Sequence, residues 1–454
     1  MPQPGNRPYE YLRAKKSFIF DVKSPAHQAL NMLKSTLEFT PPAAAILPAN
    51  AWLVVGLLCG VGCLNYLDRI MITTMRTSIL ADMPMTDAQF GLLTSVFLWV
   101  YGGLSPLAGF IADRFNRSRV IMGSLFVWSV VTWLTAHATT FPELLITRAL
   151  MGISEACYIP AALALIADYH RGRTRSQATG IHMAGIMAGQ SLGFLGGWIA
   201  DRWHWQAAFS TLGGMGVAYA VLLTLVLRDA SRQRAFSVPN TTPATGNIHF
   251  VTALKDLFRR PKFWLAVSFW GLLGVANWLI LGWLPTYFKE QFSLSQTQAG
   301  IYGTAYFHAA ALVGVLIGGF WADRWSRTNA RGRMLVPAIG FCLAAPAIFL
   351  ASNTTLLVVA VIGFMIYALT RTFADANMMP ILFQITDPRY RATGYGVLNL
   401  FSCVVGGLGI YAAGILRDGH VNLSLLFRLA SVLLVLCAAL VYAIKPDPES
   451  PSPN

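Results

Sequence analysis

Apolar positions run through the 454-residue chain in twelve blocks. The blocks have edges near 51–78, 88–112, 118–138, 142–168, 176–200, 206–227, 263–288, 297–322, 333–351, 355–382, 392–416 and 423–444. Runs of roughly twenty residues match the thickness of a bilayer core and are too long for barrel strands. The expected fold class is an all-α polytopic membrane protein with twelve transmembrane helices. A polar break at 228–262, containing "SVPNTTPATGN", divides the helices six and six. The expected organisation is an N-terminal segment 1–50, a six-helix bundle 51–227, a linker 228–262, a second bundle 263–444 and a tail 445–454.

Composition fits this pattern, with 55% hydrophobic residues, 12% charged residues and a mean hydropathy of +0.53. A net charge of +14 raises the question of nucleic acid. Its distribution answers no, because the cations gather in every second loop. Arg114, Arg117 and Arg119 form one group, Arg171, Arg173 and Arg175 another, and Arg324, Arg327, Arg331 and Arg333 a third. The alternate loops are sparse, with Asp82, Asp87, Glu143 and Arg417. This asymmetry predicts basic loops in the cytoplasm of a cell with a plasma (inner) membrane. An even number of spans then puts both termini on that side. The six cysteines all lie in apolar runs and read as small core residues, and the sequence shows no metal spacing. No cleavable signal pattern opens the chain, and "SPAHQALNMLKSTLEF" reads as a short amphipathic helix. The chain is expected to act as a monomer in the lipid bilayer.

The two halves repeat each other. "GFIADRFNRSR" begins at Gly109 after the second block, and "GFWADRWSR" begins at Gly319 after the eighth. "ATG" opens both the fifth and the eleventh block. Repeats of this kind are the hallmark of secondary transporters, which bind substrate between pseudo-symmetric halves.

Charges inside the spans are the candidates for chemistry, because each costs roughly 2.5–3.5 kcal/mol to insert. Asp68 and Arg69 in "NYLDR", Arg148 and Glu155, and Arg371 and Asp375 are the main set, with His182 and His308 as further titratable groups. Asp68 and Arg69 lie about 100° apart around a helix and cannot point at one spot. Arg148 and Glu155, seven apart, share a face, and Arg371 and Asp375 can neutralise each other. A buried carboxylate can take and release a proton, whereas arginine stays charged and can hold an anion. The expected division has Asp68 and Glu155 carrying protons, Arg148 holding Glu155 or relaying charge, and Arg69 binding a substrate carboxylate. The proton is the coupling ion, and no other cofactor is expected.

The loop motif resembles that of the major facilitator superfamily over nearly the whole transmembrane length. Gly109, Asp113, Arg114 and Arg117 match its pattern, Asn116 and Ser118 depart from it, and Asp323 and Arg324 repeat it. The resemblance implies two rocking bundles and a cytoplasmic latch, with Arg117 pairing with Asp168. "NYLDR" with Arg148 and Glu155 further resembles the anion:cation symporter family, which carries sugar acids and related anions. The spinster family of lysolipid and sphingolipid transporters has a very similar pair of motifs. The first resemblance implies proton-coupled symport of a small organic anion such as a hexuronate, aldonate or sialic acid. The second implies a lipid carrier, and a sugar-phosphate or phosphate antiporter is a third reading, with Arg371 as its second cation. The seventh span lacks the arginine of vesicular anion carriers and offers Asn277, Trp278 and Tyr287 instead. Asn65, Tyr66, Gln190, His308 and Asn399 complete the candidate binding set. No Ser/His/Asp cluster or phosphate loop points to an enzyme.

Overall fold

The computed structural model describes residues 50–170, 173–227, 250–387 and 390–445, all within one compact unit, Ala49–Asn454. The N-terminal segment where the sequence suggests an amphipathic helix, most of the 228–262 linker and the last nine residues lie outside the described residues. The described residues form helices and no strand. In the first half these are α1 Ala51–Thr74, α2 Arg76–Asp82, α3 Asp87–Arg114, α4 Arg117–Thr135, α5 Phe141–Glu155, α6 Tyr158–Tyr169, α7 Arg173–Ser191, α8 Phe194–Arg202 and α9 Trp205–Val226. The second half holds α10 Phe250–Arg259, α11 Pro261–Phe292, α12 Gln296–Gly300, a π-helical turn Ile301–Tyr306, α13 Phe307–Ser326 and α14 Gly332–Asn353. It ends with α15 Leu357–Arg371, α16 Phe373–Ile385, α17 Arg391–Asp418 and α18 Leu423–Ala443.

Eleven of these stretches are long and apolar enough to cross a bilayer. The twelfth span, α7–α8, is diluted by Gln177, His182, Gln190 and several glycines. It packs on α1 rather than earning its place by hydropathy. A Cβ at Gly189 would stand 2.1 Å from the carbonyl oxygen of Cys63, so the two backbones meet where only glycine fits. Gly314 plays the same part in the second half, with the Leu369 carbonyl oxygen 2.0 Å from its would-be Cβ. Gly189→Ala should therefore lower the melting temperature of the purified protein by several degrees, for an overpacking cost of about 1–3 kcal/mol. Gly123→Ala, whose new methyl meets nothing within 4 Å, should leave it unchanged.

Local signals start and break these helices. Thr86 with Gln89 and Ser295 with Gln298 form capping boxes at the start of the second and eighth spans. The fourth span breaks directly after Glu155, where α5 gives way to α6. The tenth breaks directly after Arg371, where α15 gives way to α16. Broken helices at matching places in two halves are the transporter pattern. The π turn interrupts the eighth span and leads into His308. Across the halves, α3 packs along α17 and α7 packs on α13.

Candidate functional site

Helix α1 carries Asp68 and Arg69 to mid-span, both less than a tenth exposed. The 100° step between them sends the side chains to different neighbours. Asp68 accepts a hydrogen bond from the Thr132 hydroxyl of α4. Arg69 Nη2 donates to Glu155 Oε2 at 2.8 Å and reaches Asn65 Oδ1 at 3.5 Å. Its guanidinium lies over three rings, Tyr66 at 4.4 Å and Phe97 and Tyr101 at 4.6 Å each. Such faces stabilise a cation that water cannot reach.

This geometry corrects one assignment. Arg148 does not hold Glu155; Arg69 does. Seven residues share a helical face but rise about 10.5 Å, too far for contact, and Arg69 arrives at the right height from the next helix. Arg148 is buried, with its guanidinium over the Phe209 ring at 5.2 Å. Its Nε and Nη2 have no hydrogen-bond partner among the described residues, nor do Asp68 Oδ1, Glu155 Oε1 and Arg69 Nε. Two carboxylates and two guanidiniums thus sit in one buried, half-satisfied set. A set of this kind is a poor way to stabilise a fold and a good way to store alternatives.

A cavity of about 20 Å³, room for one water, opens beside this set. Arg69, Arg148, Thr73, Thr94 and Trp278 line it together with Ile70, Leu93, Phe97, Leu98 and Leu281. Trp278 therefore faces the centre. The Asn277 side-chain oxygen is buried with no hydrogen-bond partner among the described residues. Gln190 is half-buried. Asn399 donates to Ser105 Oγ at 3.3 Å across the halves. Tyr287 does not belong with them. Its hydroxyl donates to the Ala351 carbonyl at 2.9 Å, and its ring packs on Phe288, Phe364 and Phe427. The helical twist of α11 turns position 287 away from position 278, so a substrate contact for Tyr287 is withdrawn.

The second half has a smaller buried set. Arg371 Nη2 pairs with Asp375 Oδ2 at 2.6 Å, so this arginine is already neutralised on its own span. His308 is buried, with Nδ1 at 2.9 Å from the Thr304 carbonyl. At the basic end, Arg117 pairs with Asp168, and Asp323 pairs with Arg333 at 2.9 Å. Arg114 and Arg324 are exposed at their helix ends. The surroundings of Gly109 and Asp113 lie outside the described residues.

The charge-poor end holds residues that the sequence reading passed over as sparse loop charges. Arg76 pairs with Asp87, and Arg76 Nη1 lies 3.4 Å from Glu290 Oε1. Arg417 Nε pairs with Asp87 Oδ2 and Arg417 Nη2 with Glu290 Oε1, both at 2.9 Å. This closed ring of four alternating charges takes two members from each half. Trp283 lies beneath it, its ring 5.8 Å from the Arg76 guanidinium and 5.2 Å from that of Arg417.

Two carboxylates extend the seal by capping helices of the opposite half. Asp418, at the end of the eleventh span, accepts from the backbone N–H groups of Asp87 and Ala88 at 2.7 and 3.0 Å. Asp201, at the end of the fifth, accepts from the Thr297 N–H at 2.8 Å and from Gln296 Nε2 at 3.1 Å. Each carboxylate meets the positive end of a helix dipole. The fifth and eleventh spans, and the second and eighth, correspond under the internal repeat, so the two caps are one device used twice. The capping-box echo "TDAQ" at Thr86 and "SQTQ" at Ser295 was the available signal for it.

Comparison with known families decides the class. The model described as "Major Facilitator Superfamily" matches residues 58–410, with a second match over 290–454. The chain belongs to this superfamily. It is a superfamily transporter and not an enzyme. Among its relatives is spinster homolog 1 of Mus musculus, 30% identical over 394 residues, covering 81% of this chain and 73% of that one. The protein named "Probable sulfoacetate transporter SauU" of Cupriavidus necator is 27% identical over 380 residues, covering 80% and 88%. A crystal structure of a bacterial homolog of the human lysosomal transporter spinster, inward-facing and unoccupied, matches with a TM-score of 0.75. That match has 23% identity and covers 87% of this chain and 97% of that one. The superfamily fold is thus common ground, and the relatives include spinster proteins and a protein named as a sulfoacetate transporter.

Proposed function

We propose that the chain couples proton movement to the transport of an organic anion with an apolar body. The observation that carries this reading is the buried Arg69–Glu155 pair beside Arg148, whose Nε and Nη2 have no hydrogen-bond partner among the described residues. Arg69 cannot shed its proton, so only a change at Glu155 can free it. When Glu155 takes a proton, the ion pair dissolves and Arg69 is left to a substrate anion. When Glu155 loses the proton, it reclaims Arg69 and expels the anion. Asp68, held by Thr132 on the other side of α1, passes the proton to and from Glu155 and moves none without it. Arg148 keeps the set near neutrality in either case.

Substrate character follows from the lining. Rings and aliphatic side chains surround the two cations, with Thr73 and Thr94 as the hydroxyls. That surface suits a carboxylate, sulfonate or phosphate carrying a hydrocarbon or aromatic body. It agrees with the likeness to spinster proteins. A sugar acid or small sulfonate is the second reading, supported by the buried Asn277 oxygen and by the likeness to the sulfoacetate carrier.

The excess of basic residues in these loops supports a cytoplasmic position for Arg117 and Arg324 in a plasma (inner) membrane. The four-charge ring and the two aspartate caps then close the outside, and the described state is outward-closed. Arg117 with Asp168 and Asp323 with Arg333 would belong to the cytoplasmic latch.

Uptake into proteoliposomes with an acid-outside gradient tests this reading. The panel is a lysophospholipid, an alkyl sulfonate, sulfoacetate and a hexuronate. Gradient-dependent uptake of the alkyl-chain anions, at least about tenfold above the hexuronate, is expected. Uptake that ignores the gradient contradicts the coupling, and preference for the hexuronate contradicts the substrate class.

A further inference from the structure

Helix α13 carries a feature that lies outside the central charge set. Val313, Leu316, Ile317 and Phe320 recur at helical spacing and are 47%, 66%, 45% and 73% exposed. They form one outward-facing apolar stripe. Continued along the same face, the stripe reaches Arg324 and Arg327, both exposed. At that junction Trp321 and Trp325 stack with centroids 5.9 Å apart and planes 7° from parallel. Together with Thr328 these four residues, all at the end of one helix, line an open surface recess. The neighbouring Asp323 carboxylate is held by Arg333 at 2.9 Å, and neither Arg324 nor Arg327 has an ion-pair partner among the described residues.

We propose that this recess takes the phosphate headgroup of an anionic phospholipid whose acyl chains lie along the stripe above it. The order of groups is that of a membrane interface read from the inside out: hydrocarbon contacts, then a tryptophan layer, then cations. A free phosphate ester could use the two arginines but would leave the stripe bare. The apolar run leading into the recess is therefore what selects a lipid.

Native mass spectrometry of the full-length protein, titrated with phosphatidylglycerol, phosphatidylcholine or glycerol phosphate, tests the assignment. The wild type should bind phosphatidylglycerol on the order of tenfold more tightly than phosphatidylcholine. R324Q/R327Q should erase that preference, and W321A/W325A should weaken both lipids. R119Q/R175Q, which removes equal charge from other loops, should keep it. Equal loss in the two arginine variants would make the preference a bulk charge effect and overturn the site. Glycerol phosphate binding as tightly as phosphatidylglycerol would overturn the lipid as its ligand.

Discussion

Glu155→Gln should abolish proton-driven accumulation while leaving substrate exchange across the membrane intact. The amide keeps the shape of the carboxylate and an oxygen to accept from Arg69, but it can neither pair as an anion nor carry a proton. Accumulation should fall at least about tenfold, and counterflow of labelled against unlabelled substrate should stay near wild type. Arg69→Ala should instead lose both activities, because it removes the anion's partner. It also strands Glu155, at a cost of about 3–5 kcal/mol unless that residue neutralises. Arg69→Lys should not rescue it. An ammonium cannot span Glu155 and Asn65 while stacking among Tyr66, Phe97 and Tyr101 as the guanidinium does. Loss of counterflow in Glu155→Gln would mean that the residue binds substrate or holds the fold rather than carrying the proton.

Arg417→Ala should shift the resting population from outward-closed toward outward-open. Arg417 reaches Asp87 and Glu290 at once and is 12% exposed, so its loss breaks two contacts and leaves Arg76 as the one ring cation for both carboxylates. A partly buried charge pair cut on one side costs about 2–5 kcal/mol, enough to invert a modest conformational preference. Spin labels at Ala81 and Asn422, exposed positions in opposite halves, would report it in a background without native cysteines. The distance distribution should gain a longer component in Arg417→Ala. Asp418→Asn, which keeps one of the two accepting oxygens and loses the charge on the α3 dipole, should show a smaller shift. An unchanged distribution in Arg417→Ala would remove the ring from the gate.

These residues also mark how far the sequence could be read. The spans were legible because bilayer thickness imposes a length on every apolar run, and the repeat was legible in the Gly109 and Gly319 loops. Even α7–α8, read as the block 176–200, was legible, although its polar and glycine content serves helix packing rather than lipid contact. Asp68, Arg69, Arg148 and Glu155 stood out because a charge in a span is costly. Their pairing did not, since helical periodicity fixes which face a residue takes but not which neighbour meets it at that height. Arg69 and Glu155 are 86 positions apart and meet only through tertiary packing. Tyr287 was misplaced for a similar reason: its side-chain type suited a sugar, yet its turn of α11 faces an aromatic cluster. The outer ring was invisible because Arg76 and Glu290 are 214 positions apart and sit in ordinary loop-end surroundings. Only the paired capping boxes of the second and eighth spans hinted at a repeated device there.

The central claim is that a proton on Glu155 and an anion on Arg69 come and go together. Proteoliposomes loaded with a pH-sensitive dye and held at zero membrane potential measure it directly. Adding a transported anion outside should acidify the lumen of vesicles carrying the wild type. Vesicles carrying Glu155→Gln should show no pH change despite exchanging the same anion. Anion entry without acidification in the wild type, or acidification that persists in Glu155→Gln, would contradict the account.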